Sequence, residues 1–189
     1  YKGSYLINYR YSSIALLTGL GLLDFDGIPK YQDVSFKFFL PTKRIGNFSV
    51  IGLGGLSNID QTDMDDSTGY IHSNYLFKAG LGVGAIKHTV VLTPKIYIKS
   101  FVSVSTAFNG GEGKIPGNSG DLFISEKDRF TDNKLKVQSI ANYRMNKKNI
   151  FQFGVTYSKL DYSFIFQEDE FETGKFESKL KSSGQSDLL

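Results

Sequence analysis

The residues best equipped for chemistry are few. Asp60, Asp63, Asp65 and Asp66 crowd the polar run NIDQTDMDDSTG. Oxygen-rich loops of this kind bind hard cations such as calcium, but the distal Glu of a calcium loop is missing at the required spacing. The four aspartates are therefore weak metal candidates, beside the plainer reading of a solvated acidic loop. His72 and His88 are the only histidines. His72 lies near the acidic run, while His88 sits toward the other end of the same expected strand, so the two cannot share a site. A His72 site with Asp63 or Asp65 is conceivable, but no nucleophile–base pair accompanies it. Gly19 and Gly21 form a GxG pair without the rest of a phosphate-binding fingerprint. With no cysteine, neither disulfides nor thiolate metal sites are available. No catalytic residue, resident metal or cofactor is expected. The net charge of +3 is too small and too mixed to point to nucleic acid.

The elements that would position these residues read as strands. Lys134 to Tyr162 is the clearest stretch. Leu135, Val137, Ala141, Tyr143 and Met145 share one parity, and Lys134, Lys136, Gln138, Asn142 and Arg144 share the other. After the turn Asn146–Asn149, the residues Phe151, Phe153, Val155 and Tyr157 alternate with Gln152, Gly154, Thr156 and Ser158. Successive side chains on a strand point to opposite faces, so each arm has an apolar and a polar face. Further strands are expected at Gly3–Tyr11, Tyr31–Leu40, Phe48–Ser57, Asn74–Val91 and Lys95–Phe108, giving about seven. Between the first two, Ser12–Leu23 breaks the alternation. Ile14, Leu16 and Leu17 have helical spacing, Ser12 or Ser13 suits the N-cap, and Gly19 and Gly21 end the segment.

Short connections at Pro41–Gly46, Leu92–Lys95 and Asn146–Asn149 alternate with long ones at Ser12–Lys30, Asn58–Gly69, Asn109–Asn133 and the tail from Gln167. The tail is expected to be a loop with a helical turn near Lys179–Ser182. Segregation of loop lengths, strands long enough to cross a bilayer, and aromatics near one end of an apolar face fit an outer-membrane barrel. In that arrangement the apolar parity meets lipid and the polar parity lines the lumen. The lumen-facing candidates are Asn8, Arg10, Asp33, Lys37, Lys136, Gln138, Asn142 and Arg144. Aromatics in Leu122–Phe130 and Phe164–Phe171 are candidates for stacking on a ligand, or for packing the loops together. The fold class is thus all-β, a transmembrane antiparallel β-barrel, with residues 1–189 forming part of one barrel domain.

The segments GSYLINYRYSSIALL, GIPKYQDVSFKFFLPTKRIGNFSVIGLGGLSNID, KHTVVLTPKIYIKS and MNKKNIFQFGVTYSKLDYSF resemble mid-barrel segments of TonB-dependent outer-membrane receptors. The likeness is to the Bacteroidota kind that carries a carboxypeptidase-regulatory-like extension. It rests on strand and turn texture along most of the chain. It implies a 22-stranded barrel with a plug, of which this chain is a mid-barrel fragment located in the bacterial outer membrane. It also implies TonB as a partner through the plug region, which has no counterpart here; a lipoprotein lid partner, common among related glycan receptors, is left open. The function so implied is uptake of a scarce nutrient. Two alternatives are a complete eight-stranded membrane barrel, as an enzyme or a structural protein, and a soluble all-β binding module.

Overall fold

The computed structural model describes residues 2–22, 27, 29–118, 120–169 and 175–188. It contains eight strands and one short helix: β1 (Ser4–Tyr11), α1 (Ser13–Gly19), β2 (Lys30–Pro41), β3 (Asn47–Met64), β4 (Ile71–Thr93), β5 (Ile96–Pro116), β6 (Leu122–Arg144), β7 (Ile150–Glu168) and β8 (Glu177–Leu188). All strands pair antiparallel with their sequence neighbours in one sheet of order β1 to β8. The sheet is open: among the described residues β1 pairs only with β2, and β8 only with β7. The helix lies where the broken alternation places it, between Ser12 and the left-handed Gly21 (φ 69°). The side chain of Ser13, and Leu23 at the end of that segment, lie outside the description.

The turns at one end are short, each with a local polar anchor. Thr42 N–H donates to the Gly46 carbonyl at 3.1 Å, and Gly46 takes φ 91°. Thr93 Oγ1 accepts from the N–H groups of Lys95 and Ile96 at 3.2 and 3.1 Å. Asn146 Oδ1 accepts from the N–H groups of Lys148 and Asn149 at 2.9 and 2.8 Å. At Thr93 and Asn146 a side-chain oxygen that accepts the turn N–H groups explains the residue type, and at Thr42 the hydroxyl also donates to the Gly46 carbonyl.

At the other end the structure corrects the expected loops. Strand pairing carries β3 through Met64, β5 through Pro116 and β7 through Glu168, so the tips close at 65–70 and 117–121. Asn58–Gly69 and Asn109–Asn133 are therefore mostly strand. The tail gives an eighth strand, with Ser182 opposite Phe164 and Gly184 opposite Tyr162, instead of a helical turn. The physical reason is common to all three. These segments are polar on both parities, so they carry no hydrophobic alternation. Their strand character comes from hydrogen bonding to a neighbour that does alternate.

The described residues form a single layer. Among the described residues, substantial contacts between elements are confined to consecutive strands, and Ala85 is the one buried hydrophobic residue. A soluble sandwich would bury one face of each sheet against the other.

Candidate functional site

Register assigns every strand residue to a face, because residues directly opposite in an antiparallel pair project to the same side. Following the partners across the sheet, Tyr5, Phe38, Val50, Ile86, Val102, Val137 and Tyr157 form one row. Ile7, Phe36, Gly52, Gly84, Val104, Leu135 and Lys159 form the next. This first face is apolar in the half nearest the short turns, and it is uncovered. Tyr5 is 78% exposed, Ile7 62%, Val104 58% and Phe153 66%. Aromatic rings fill the gaps left by glycines: an added Cβ on Gly52 would run into the ring of Phe36, and one on Gly80 into that of Phe108. Both are direct cross-strand pairs, so the wall stays continuous where β3 and β4 are glycine-rich.

The apolar stretch does not run along the rows. On β2 it comprises Val34, Phe36, Phe38 and Leu40; on β7 it comprises Phe151, Phe153, Val155 and Tyr157. Phe38 and Tyr157 share a row, yet the centre of the β2 stretch lies toward the long hairpins from it and that of β7 toward the short turns. The offset is roughly four residues over about five strand spacings, a slope of about 30° at normal strand rise and separation. A lipid slab perpendicular to the axis of a barrel cuts its strands obliquely, with a tilt of ~35–45°.

The second face carries the eight lumen candidates. Asn8 faces Ser35, Arg10 faces Asp33, and Lys37 faces Leu6. Lys37 and Lys136 fall on one row through Ile51, Ala85 and Ser103. Gln138, Asn142 and Arg144 share the parity of Lys136 on β6. The eight therefore share a face without converging on a point. Arg10 Nε lies 2.9 and 3.1 Å from the two Asp33 carboxylate oxygens, Gln138 Nε2 donates to Thr156 Oγ1 at 2.9 Å, and Asn142 is buried. Lys37 and Lys136 stand four strands apart.

The acidic run is dispersed by the β3–β4 hairpin. Asp60 lies on the first face and accepts from Asn74 Nδ2 at 2.7 Å. Asp63, opposite Ser73, lies on the second. Asp65 Oδ1 accepts from Ser67 N–H, Ser67 Oγ–H and Thr68 N–H at 2.9, 2.6 and 2.9 Å. These donors stabilise the ionised carboxylate and hold its pKa down to about 2. Asp66 follows within the same turn. Among the described residues no group of three potential metal ligands exists, so the four weak candidates do not assemble a centre. The histidines are apart, as their positions in the sequence require. His72 meets Tyr70 edge-on at 5.2 Å, whereas His88 stacks on Phe48 at 4.4 Å with Nε2 2.6 Å from the Ile45 carbonyl.

A second patch on the same face as the lumen candidates is hidden in the sequence. Glu126, Asp128, Phe130 and Asp132 alternate along β6 with Lys127, Arg129 and Thr131, sending carboxylates to the second face and cations to the first. Phe130 faces Phe164 across β6–β7, Phe166 faces Asp128, and Tyr162 faces Asp132. Tyr75 Oη reaches Asp128 Oδ1 at 3.5 Å, passing over Gly111, whose missing side chain makes the room. Phe171, among the aromatics expected here, lies outside the described residues. The signal for this patch was the alternation of charge sign from Glu126 to Arg129, not of hydrophobicity.

No family model matches the chain, and no curated protein matches it.

Proposed function

We propose that this chain is a wall segment of a transmembrane β-barrel in the bacterial outer membrane, part of a receptor that takes up a scarce nutrient with energy delivered through TonB. The observation that carries the reading is the first face: a wide, exposed, apolar band, with no second layer over it among the described residues, crossing the strand rows at a barrel-like slope. Apolar surface of this extent is stable only against lipid or another protein layer. The second face, largely polar on β1, β2, β6 and β7 but carrying Ile51, Leu53, Leu81 and Val83 on β3 and β4, then borders the lumen, where Arg10, Lys37, Lys136, Gln138 and Asn142 meet water or a plug. The open edges at β1 and β8 are completed by further strands of the larger barrel, since an unpaired edge within lipid is costly. A closed eight-stranded barrel gains the even strand count, but it requires β1 to pair with β8, and both are free along that side among the described residues.

The test is fractionation of cells expressing the full-length protein, with and without TonB. The receptor reading expects the protein in the detergent-extracted outer membrane, at a mass several times the 21.1 kDa of this chain, and growth on its nutrient that fails without TonB. Recovery in the soluble fraction, or nutrient uptake indifferent to TonB, overturns it.

A further inference from the structure

The second face changes sign halfway along its strands. Nearest the short turns it carries Lys37, Lys87, Lys99, Lys136 and Arg144. Toward the long hairpins it carries Asp63, Glu126, Asp128, Asp132 and Glu168, set among Tyr75, Phe130, Tyr162 and Phe164, with Arg10 and Asp33 paired to each other on the row of Asp132. Lys179 stands 3.9 Å from Glu168 and offsets that carboxylate, and Lys134 lies at the lower margin of the patch, one residue pair below Asp132. Glu126, Asp128 and Asp132 remain as a line of anions on one strand. Their spacing is two and four residues, ~7 and ~13 Å along an extended chain. The rings of Phe130 and Phe164 lie between them, half-buried. Carboxylates at a strand repeat beside aromatic faces suit cations on long apolar stems. The stem packs on the ring, and the head meets both the carboxylate and the π face.

We propose that this half of the second face is the docking surface for a short basic peptide lying extended along β6. Its alternate cationic side chains would pair with Glu126, Asp128 and Asp132, and its stems would rest on Phe130 and Phe164. The opposite sign nearer the short turns repels the same ligand, so it is held at the long-hairpin end. The inference rests on the barrel reading, because only there does this face line a solute's path.

The test uses the full-length protein extracted in detergent and a fluorescent octapeptide of alternating lysine and serine, long enough for its first, third and seventh residues to meet Glu126, Asp128 and Asp132. The same peptide with glutamate in place of lysine is the control. Anisotropy titrations should show the basic peptide binding and the acidic one not binding. Affinity should fall about tenfold in the E126Q/D128N/D132N variant, a change of the size expected for lost charge-assisted hydrogen bonds. E126Q and D132N alone should each give a smaller loss, which keeps the test informative if the triple variant assembles poorly. Equal binding of the two peptides, or unchanged affinity in the variants, overturns the proposal. So does blockage of this face by another part of the protein, which would abolish binding altogether. Outer-membrane fractionation separates the two claims. A membrane-embedded barrel without basic-peptide preference keeps the receptor reading and loses this one, whereas a protein outside the membrane loses both.

Discussion

Asp65 shows how a residue type that suggests a ligand can instead serve the backbone. Its carboxylate collects three donors from Ser67 and Thr68 and ties the β3–β4 tip. A depressed pKa means that the ionised form contributes its stabilisation fully above the ordinary carboxylate value of ~3.9. That contribution is lost as the pH falls through about 2. A carbon-detected titration should therefore find the Asp65 midpoint near 2, and Ser67→Ala should move it upward. Glycines give a second test at this scale. An alanine at Gly52 would collide with the Phe36 ring, while at Gly54 the nearest neighbour, the Leu81 carbonyl oxygen, is 3.8 Å away. Gly52→Ala should destabilise by ~1–3 kcal/mol through overpacking, and Gly54→Ala should be close to neutral in the same urea unfolding experiment.

At the scale of the strand, the alternation of faces makes a sharp contrast between neighbours. Val155 is 58% exposed on the apolar face, and Thr156 lies on the other, bonded to Gln138. Val155→Lys should cost ~2–4 kcal/mol in lipid, the penalty for a cation facing the bilayer midplane, whereas Thr156→Lys should cost less than ~1 kcal/mol. Unfolding from lipid vesicles measures both. Parity was also what the sequence displayed best. The eight polar candidates from Asn8 to Arg144 all fall on one face, because alternation is strong wherever one side meets an apolar medium. It fails beyond that band. In EKDRFTD both faces are polar, and in ESKLKSSGQSDL no apolar period exists, so β6 begins and β8 forms where no hydrophobic pattern announces them. Their pairing is decided by partners some twenty to forty residues away, such as Asp128 with Phe166 and Ser182 with Phe164. The same blindness concealed the carboxylate line of Glu126, Asp128 and Asp132.

At the scale of the molecule, the chain forms a wall rather than a core. The eight strands make one sheet with two unlike surfaces, and Ala85 is the single hydrophobic residue buried among those described. The charge reversal along the second face and the oblique apolar band on the first are properties of the assembled sheet. Neither can be seen in any one strand. In the proposed barrel the first face meets lipid and the second meets water. The most direct measurement places single spin labels at Val102, Val104 and Val155 on one face, and at Ser103, Ser105 and Thr156 on the other, in the full-length protein in native outer membranes. Oxygen should relax the first set more strongly, and a water-soluble nickel complex the second. Equal accessibility of neighbouring labels to the nickel complex, along β5 and β7 alike, would contradict it.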